Sequence, residues 1–352
     1  MKKFRVGVVG CGGIAKGSHF PSYLLEKRVE IVGLCDIKLE RAEFAKKTMF
    51  RSAKTYTDYK EMLKDETIDF IDICTPNYLH SIVAVDALNA GKHVLCEKPD
   101  AVSVEEALKM KEAAERNGKK LMVIRNNRYF GTSLEIKRFA DEGGFGQIYA
   151  GRCGWVRRRG IPGKGGWFTT KAQSGGGPLI DLGVHMIDLA IWFMGNPKPV
   201  SVSGNVFCKF ADNDSEDSPE AKFGDKIENG TFDVEDLAMG LIRFDNGAVL
   251  QIEFSWASNI RKEYRFVELR GEKAGLEWVD GKAEIFYEEN GEQINKKVKG
   301  KRTPSAHKVN ISHFVDVLEG AEPVFVPEQG VDMIKILAAI YESAKTGKEV
   351  IL

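Results

Sequence analysis

Residues 1–15 read MKKFRVGVVGCGGIA, and they decide the fold. A valine-rich run, Lys3–Val9, enters a glycine turn that fits G-x-G-x-x-A from Gly10 to Ala15. The first glycine permits the turn, the second lets backbone approach a pyrophosphate, and the small third position lets helix pack on strand. Backbone N–H groups at the helix N-terminus then hold the phosphates, so Gly10, Gly12, Gly13 and Ile14 are the expected cofactor turn. A lone fingerprint of this kind is weak. Asp36 strengthens it, because it ends the next strand, where a carboxylate grips the adenine-ribose hydroxyls. The same carboxylate repels a 2′-phosphate and so favours NAD over NADP, a preference softened by Lys38 and Arg41 close behind.

Further along, short apolar runs at Glu30–Cys35, Asp69–Cys74, His93–Cys96 and Leu121–Ile124 read as buried strands. Helices are expected near Ala15–Glu26, Leu39–Thr48, His80–Ala90 and Val104–Asn117. The last is opened by a capping box, Ser103 with Glu106, and closed by Asn117-Gly118. Alternating strands and helices predict a parallel sheet covered on both faces. Ligands of such doubly wound folds lie at the carboxyl ends of the strands. Thr75-Pro76-Asn77 sits at one such end with His80 just behind, and these four residues are cofactor candidates. Glu97-Lys98-Pro99 ends the following strand. A charged lysine at the mouth of a buried strand, beside the expected nicotinamide position, reads as a functional cation.

Past about Asn126 the texture changes. Long runs with period-two alternation at Val200–Phe210, Leu237–Phe244, Val249–Trp256, Phe266–Arg270 and Ala283–Tyr287 predict a large, mostly antiparallel sheet. Asp245-Asn246-Gly247 is a hairpin turn between two of them. The polar, acidic stretch Ala211–Gly230 reads as a solvated loop. Two helices, Ser305–Leu318 and Gly330–Lys345, close the chain before a short strand at Glu349–Leu352. The expected domains are therefore 1–125, binding the dinucleotide, and 126–352, carrying substrate recognition and self-association, with room for a closing helix to pack back on the first.

Between the two textures lies GGGPLIDLGVHMIDLAIWFMG, Gly175–Gly195, an apolar helix expected over Pro178–Met194. Its only ionisable groups are Asp181, His185 and Asp188, spaced four and then three apart, so all three project from one face. A carboxylate and an imidazole on such a helix are costly to bury unless hydrogen-bonded or used. Asp181 and His185 thus read as a proton-handling pair, with Asp188 bracing the helix. No further ligand stands at metal-binding spacing, and no metal is expected.

Bulk composition narrows the classes. At 352 residues two domains are the better expectation. Lys plus Arg and Asp plus Glu are equal at 51 each, so no global field favours nucleic acid or an anionic membrane. The N-terminal apolar stretch is too short for a signal peptide, and the most apolar helix carries three ionisable groups, a poor membrane span. Six scattered cysteines without CxxC spacing fit reduced thiols in a cytoplasmic protein. Cys11, inside the phosphate turn, is the one candidate for a reactive thiol.

For the substrate, Trp155-Val-Arg-Arg-Arg159 leads into the glycine-rich segment ending at Trp167. Aromatic faces with donor-rich loops suit a carbohydrate, which stacks its C–H faces and needs partners for its hydroxyls. Trp155, Trp167, Arg158 and Arg128 are the substrate candidates, with Arg128 open equally to a bracing role. The remaining histidines carry little signal; His307 and His313 stand six apart on one helix, do not share a face and read as structural.

Together these segments resemble the glucose-fructose oxidoreductase, inositol dehydrogenase and rhizopine catabolism (Gfo/Idh/MocA) family of nicotinamide-dependent oxidoreductases. The resemblance runs through GVVGCGGIA, the Thr75–His80 segment, AGKHVLCEKP, GGGPLIDLGVHMIDL, VEDLAMGLIRFDNGAV and the terminal GKEVIL, essentially the whole chain. It implies an α/β protein with an N-terminal Rossmann domain and a C-terminal α/β domain on an open, mostly antiparallel sheet. Pairing or tetramerisation through that sheet's free face is implied as well. So is a catalytic set of Lys98, Asp181 and His185: His185 exchanges the hydroxyl proton, Lys98 donates to the reacting oxygen, and Asp181 orients the imidazole or a second hydroxyl. A cis peptide before Pro99 is part of the same resemblance. The implied function is an NAD-dependent dehydrogenase or reductase acting on a secondary alcohol of a sugar, inositol or related polyol. A non-enzymatic NAD-binding regulator and an NAD-dependent glycoside hydrolase are the alternatives on the same fold.

Overall fold

The computed structural model describes residues 3–352. The chain folds as two compact units, one of Met1–Asn126 with Pro304–Ile334, the other of Asn127–Thr303 with Lys335–Leu352. The chain passes into the second unit after Asn126 and returns to the first at Pro304, so neither unit is one continuous stretch.

In the first unit six strands form a wholly parallel sheet: β1 (Phe4–Val9), β2 (Val29–Cys35), β3 (Lys54–Tyr56), β4 (Phe70–Ile73), β5 (His93–Cys96) and β6 (Leu121–Val123). Their order is β3-β2-β1-β4-β5-β6, so the connection reverses direction between β1 and β4. That reversal is where a doubly wound sheet opens a crevice at its carboxyl edge. The strands are continuous runs of Val, Ile, Leu and Cys because helices cover both faces. β3 has only three residues with partly exposed side chains, too short and too polar for the apolar pattern to reveal. Ser103 caps the helix Val104–Arg116, its Oγ accepting the Glu106 N–H as the capping box predicts.

The helix Ala306–Leu318 belongs to this unit, and one buried carboxylate fastens it. Glu26 accepts from Arg28, from the Ser312 hydroxyl at 2.6 Å and from Lys308 at 3.4 Å. Hydrogen bonding from Arg28 outweighs burial and holds the Glu26 carboxyl down at about 2.

The second unit is built on nine strands: β7 (Ile148–Val156), β8 (Pro199–Phe207), β9 (Leu237–Phe244), β10 (Val249–Ser255), β11 (Tyr264–Gly271), β12 (Ala274–Val279), β13 (Lys282–Glu289), β14 (Glu292–Lys297) and β15 (Val350–Ile351). They lie in the order β14-β13-β12-β11-β7-β10-β9-β8-β15. Every pairing is antiparallel except β7 with β10. The expected turn at Asp245–Gly247 joins β9 to β10, with Gly247 in the left-handed region at φ 83°. β7, at the centre of the sheet, contains Gly151, Arg152 and Gly154, which break the alternation of its neighbours. β14 is polar and closes one edge, its lysines keeping that edge from pairing further. Among the described residues no single helix is long and apolar enough to cross a membrane.

Candidate active site

In the first unit the carboxyl edge gathers the expected cofactor residues. Gly10 has φ 95°, and a Cβ there would lie 2.5 Å from the Cys74 carbonyl oxygen, so only glycine fits the turn. Beyond it a Cβ on Gly12 would meet nothing closer than Arg41 Nη1 at 4.0 Å, which leaves the turn open to a ligand. The helix opens at Gly13, where the first N–H groups of any helix lack partners within it. Asp36 directly follows β2 and accepts the Cys11 N–H at 2.9 Å and the Lys38 N–H at 2.9 Å. At the end of β4 the buried Thr75 hydroxyl has no partner among the described residues, an orphaned polar atom beside the turn. An open glycine turn, a carboxylate at the next strand end and an unsatisfied hydroxyl fit a dinucleotide. Gly10, Gly12, Gly13 and Ile14 would hold the pyrophosphate, Asp36 the ribose, and Thr75, Pro76, Asn77 and Glu97 would line the nicotinamide side.

Two expectations change here. Cys11 is fully buried, and burial followed by the Asp36 charge raises its thiol far above the ordinary range, so it is an inert core thiol. His80 is also interior: Nδ1 lies 2.7 Å from the Pro99 carbonyl and Nε2 2.9 Å from that of Thr75. Burial lowers the pKa of this ring while the two carbonyls raise it, and burial has the larger effect. His80 therefore bridges the turns after β4 and β5 rather than facing a cofactor. Lys98, half-buried, follows β5, and its peptide bond to Pro99 is cis.

Replacing Asp36 with alanine is expected to relax the choice between NAD and NADP by roughly ten- to a hundredfold, the worth of one or two hydrogen bonds to a charged group. The ratio of kcat/KM for the two cofactors reads it directly. An unchanged ratio would place the ribose contact elsewhere.

In the second unit the expected continuous helix is broken. Pro178–Asp181 and Gly183–Phe193 are separate helices joined through Leu182, and the His185 N–H reaches back only three residues, to the Leu182 carbonyl at 3.1 Å. Gly183, packed against Phe254 of β10, supplies the flexible joint. The approach is held by Glu235, which accepts from the Gly177 and Leu179 N–H groups and from the Tyr341 hydroxyl at 2.9 Å. A Cβ on Gly177 would lie 2.0 Å from the Glu235 carbonyl, which explains the glycine. Burial pushes the Glu235 carboxyl up, against the N–H groups that hold it down.

On either side of the bend, Asp181 and His185 are half-buried while their neighbours are covered. Asp181 accepts from Trp256 Nε1 at 2.9 Å. The His185 ring lies 6.0 Å from that of Trp155, which projects from β7. Trp155 is fixed in turn by Glu263, which accepts its N–H at 2.9 Å, and by the Arg157 and Arg265 guanidinium groups over its face. The Ser218 hydroxyl donates to the other Glu263 oxygen, so the acidic loop at 211–230, mostly exposed as expected, is anchored at this corner. Trp167 stacks on Phe168, and exposed Arg158 pairs with Asp217 at 3.3 Å.

Arg128 and Asp188 stand apart from the expected face. Arg128 is 1% exposed and gripped by both Asp188 oxygens at 2.8 and 2.7 Å, with Trp192 against the guanidinium. Held on the helix in this way, it has almost no exposed surface, which favours the bracing alternative over substrate contact. Trp256, Glu263 and Glu235 were not singled out in the sequence. Only Glu235, beside Asp236 just before a strand, sat in a segment marked as distinctive.

Residues 4–125 match an oxidoreductase family described as having an NAD-binding Rossmann fold, and residues 133–277 match the GFO/IDH/MocA C-terminal domain. Among characterised proteins, the D-glucoside 3-dehydrogenase of Escherichia coli K12 is 34% identical over 98% of this chain and 97% of its own length. The levoglucosan dehydrogenase of Pseudarthrobacter phenanthrenivorans is 28% identical over 78% of this chain and 73% of its own. A crystal structure of levoglucosan dehydrogenase with NADH and L-sorbose superposes with a TM-score of 0.84 at 25% identity, covering 100% of this chain and 99% of that one.

Proposed function

The chain belongs to the Gfo/Idh/MocA family of NAD-binding oxidoreductases, and from that premise we propose that it oxidises a secondary hydroxyl of a sugar or related polyol, a D-glucoside foremost. The observation that carries this reading is the half-buried pair Asp181 and His185 beside the fixed ring of Trp155. NAD, when bound, supplies the hydride acceptor. His185 takes the proton of the substrate hydroxyl, a task suited to an imidazole whose ordinary pKa lies near neutrality. Lys98 donates to the same oxygen and stabilises developing alkoxide charge. Asp181, steadied by Trp256, accepts from the imidazole or from a neighbouring hydroxyl. Trp155, whose ring lies beside His185, borders the sugar, while Trp167 and Arg158 border the outer part of the substrate.

NAD is the preferred cofactor in this reading, on the strength of Asp36. A homodimer or tetramer through the nine-stranded sheet is part of the proposal, supported by the exposed apolar side chains of Phe207 and Met239 on that sheet.

Purified protein incubated with NAD and a panel of methyl D-glucosides, levoglucosan, myo-inositol and free aldoses is expected to form NADH, followed at 340 nm. Glycoside cleavage without net NADH would select the hydrolase alternative. NAD binding with neither reaction would select a regulator.

A further inference from the structure

The helix that opens at the glycine turn contains one π-helical turn, Ala15–His19, before it continues as Phe20–Leu25. Inserted turns of this kind are rare and frequent at functional sites. This one buries His19 completely, against the carboxyl ends of β4 and β5. Its Nδ1 lies 2.7 Å from Asp72 Oδ2 and its Nε2 2.8 Å from Glu97 Oε1. With a carboxylate on each nitrogen the ring donates twice and is an imidazolium. Burial is the largest single influence and opposes that charge, but Asp72 and Cys74 together hold the ring well above its ordinary pKa. No lone pair remains for a metal, although Glu97 and His307 stand within coordinating reach.

Glu97 is the second joint. Burial would raise its carboxyl, yet His19 and then His307, 3.6 Å away, keep it well below the usual range. Oxygen Oε1 is occupied by His19, and Oε2 accepts the Lys98 backbone N–H at 3.1 Å. The carboxylate therefore folds back on the next peptide and sets the direction in which Lys98 leaves the strand. On the far side His80 holds the Pro99 carbonyl. Without the imidazolium, Glu97 would be a buried carboxylate short of a counter-charge, and its grip on the lysine peptide would loosen.

We propose that His19 is a positioning residue for Lys98, acting through Glu97, so that the cofactor-turn helix and the lysine are held as one piece. The inference rests on the reading of Lys98 given above. Its test is a cycle of His19→Asn, Lys98→Met and the double variant, assayed with NAD and methyl D-glucoside, or with the best substrate of the panel. NADH affinity is measured alongside by fluorescence titration. His19→Asn is expected to lower kcat by about 10- to 100-fold, the scale of a misplaced catalytic group, with NADH affinity retained. In the Lys98→Met background the same substitution is expected to add no further loss, because both changes remove one unit. Equal losses in both backgrounds, or full turnover in His19→Asn, would overturn the positioning role. Undiminished turnover in Lys98→Met alone would instead overturn the role of the lysine, a separate result read from a separate variant. Should His19→Asn fail to fold, Asp72→Asn, which keeps the shape and removes the charge that holds the imidazolium, runs the same cycle with the same criteria.

Discussion

His185→Ala is expected to cut turnover by about 10²- to 10⁴-fold, the usual worth of a positioned general acid or base. In barrier terms that is roughly 3–5 kcal/mol. The substitution removes the only imidazole on a helix whose other side chains are nearly all buried hydrocarbon. The loss is expected in kcat and in kcat/KM alike, since proton transfer is felt in the transition state and little in the ground state. NADH affinity should hold, because the glycine turn and Asp36 belong to the other unit. Steady-state rates at saturating sugar and a fluorescence titration with NADH give the two readouts. His185→Gln separates proton transfer from hydrogen bonding: it keeps a donor and an acceptor but cannot take the proton, and should fall nearly as far. Unaltered turnover in either variant would remove the imidazole from the chemistry.

How much of this was legible in the chain depends on how local each feature is. The Gly10–Ala15 turn, Asp36 and the five longer strand runs are written in adjacent residues, and they reappear within three residues of where the pattern puts them. β7 was invisible, because a central strand carrying two glycines and an arginine loses its alternation, and it exists through the partners on both sides. The bend at Leu182 was equally hidden: apolar periodicity continues across it, and only the packing of Gly183 on Phe254 reveals the joint. His19 was passed over because its meaning lies in Asp72 and Glu97, carboxylates 53 and 78 positions away. A signal existed, since an ionisable side chain on the sheet-facing side of the first helix must find partners. His307 was read as structural for the same reason. The substrate corner was half legible: Trp155 stood out as an aromatic, whereas Trp256 and Glu263, which hold Asp181 and Trp155 in place, did not.

Asp188→Ala is the largest stability change expected anywhere in the second unit. Arg128 stays charged at any workable pH, and at 1% exposure it has no water to fall back on when both carboxylate oxygens are withdrawn. Breaking a buried pair by removing one partner costs about 3–5 kcal/mol, much more than the pair itself contributes over a well-packed apolar replacement. For a domain of ordinary size this corresponds to a fall of roughly 6–20 °C in the thermal midpoint. The opposite change, Arg128→Met, strands a carboxylate that can take up a proton, so its cost should be smaller and should shrink as the pH is lowered. Joining the two as Arg128→Met with Asp188→Leu should recover most of the loss, and the non-additivity measures the coupling. The same set decides what Arg128 is for. If it braces the helix, Arg128→Met lowers the midpoint while the KM for sugar in the folded enzyme at low temperature stays near that of the parent. A KM that rises sharply with the midpoint unmoved would return Arg128 to the substrate and leave Asp188 as its orienting partner.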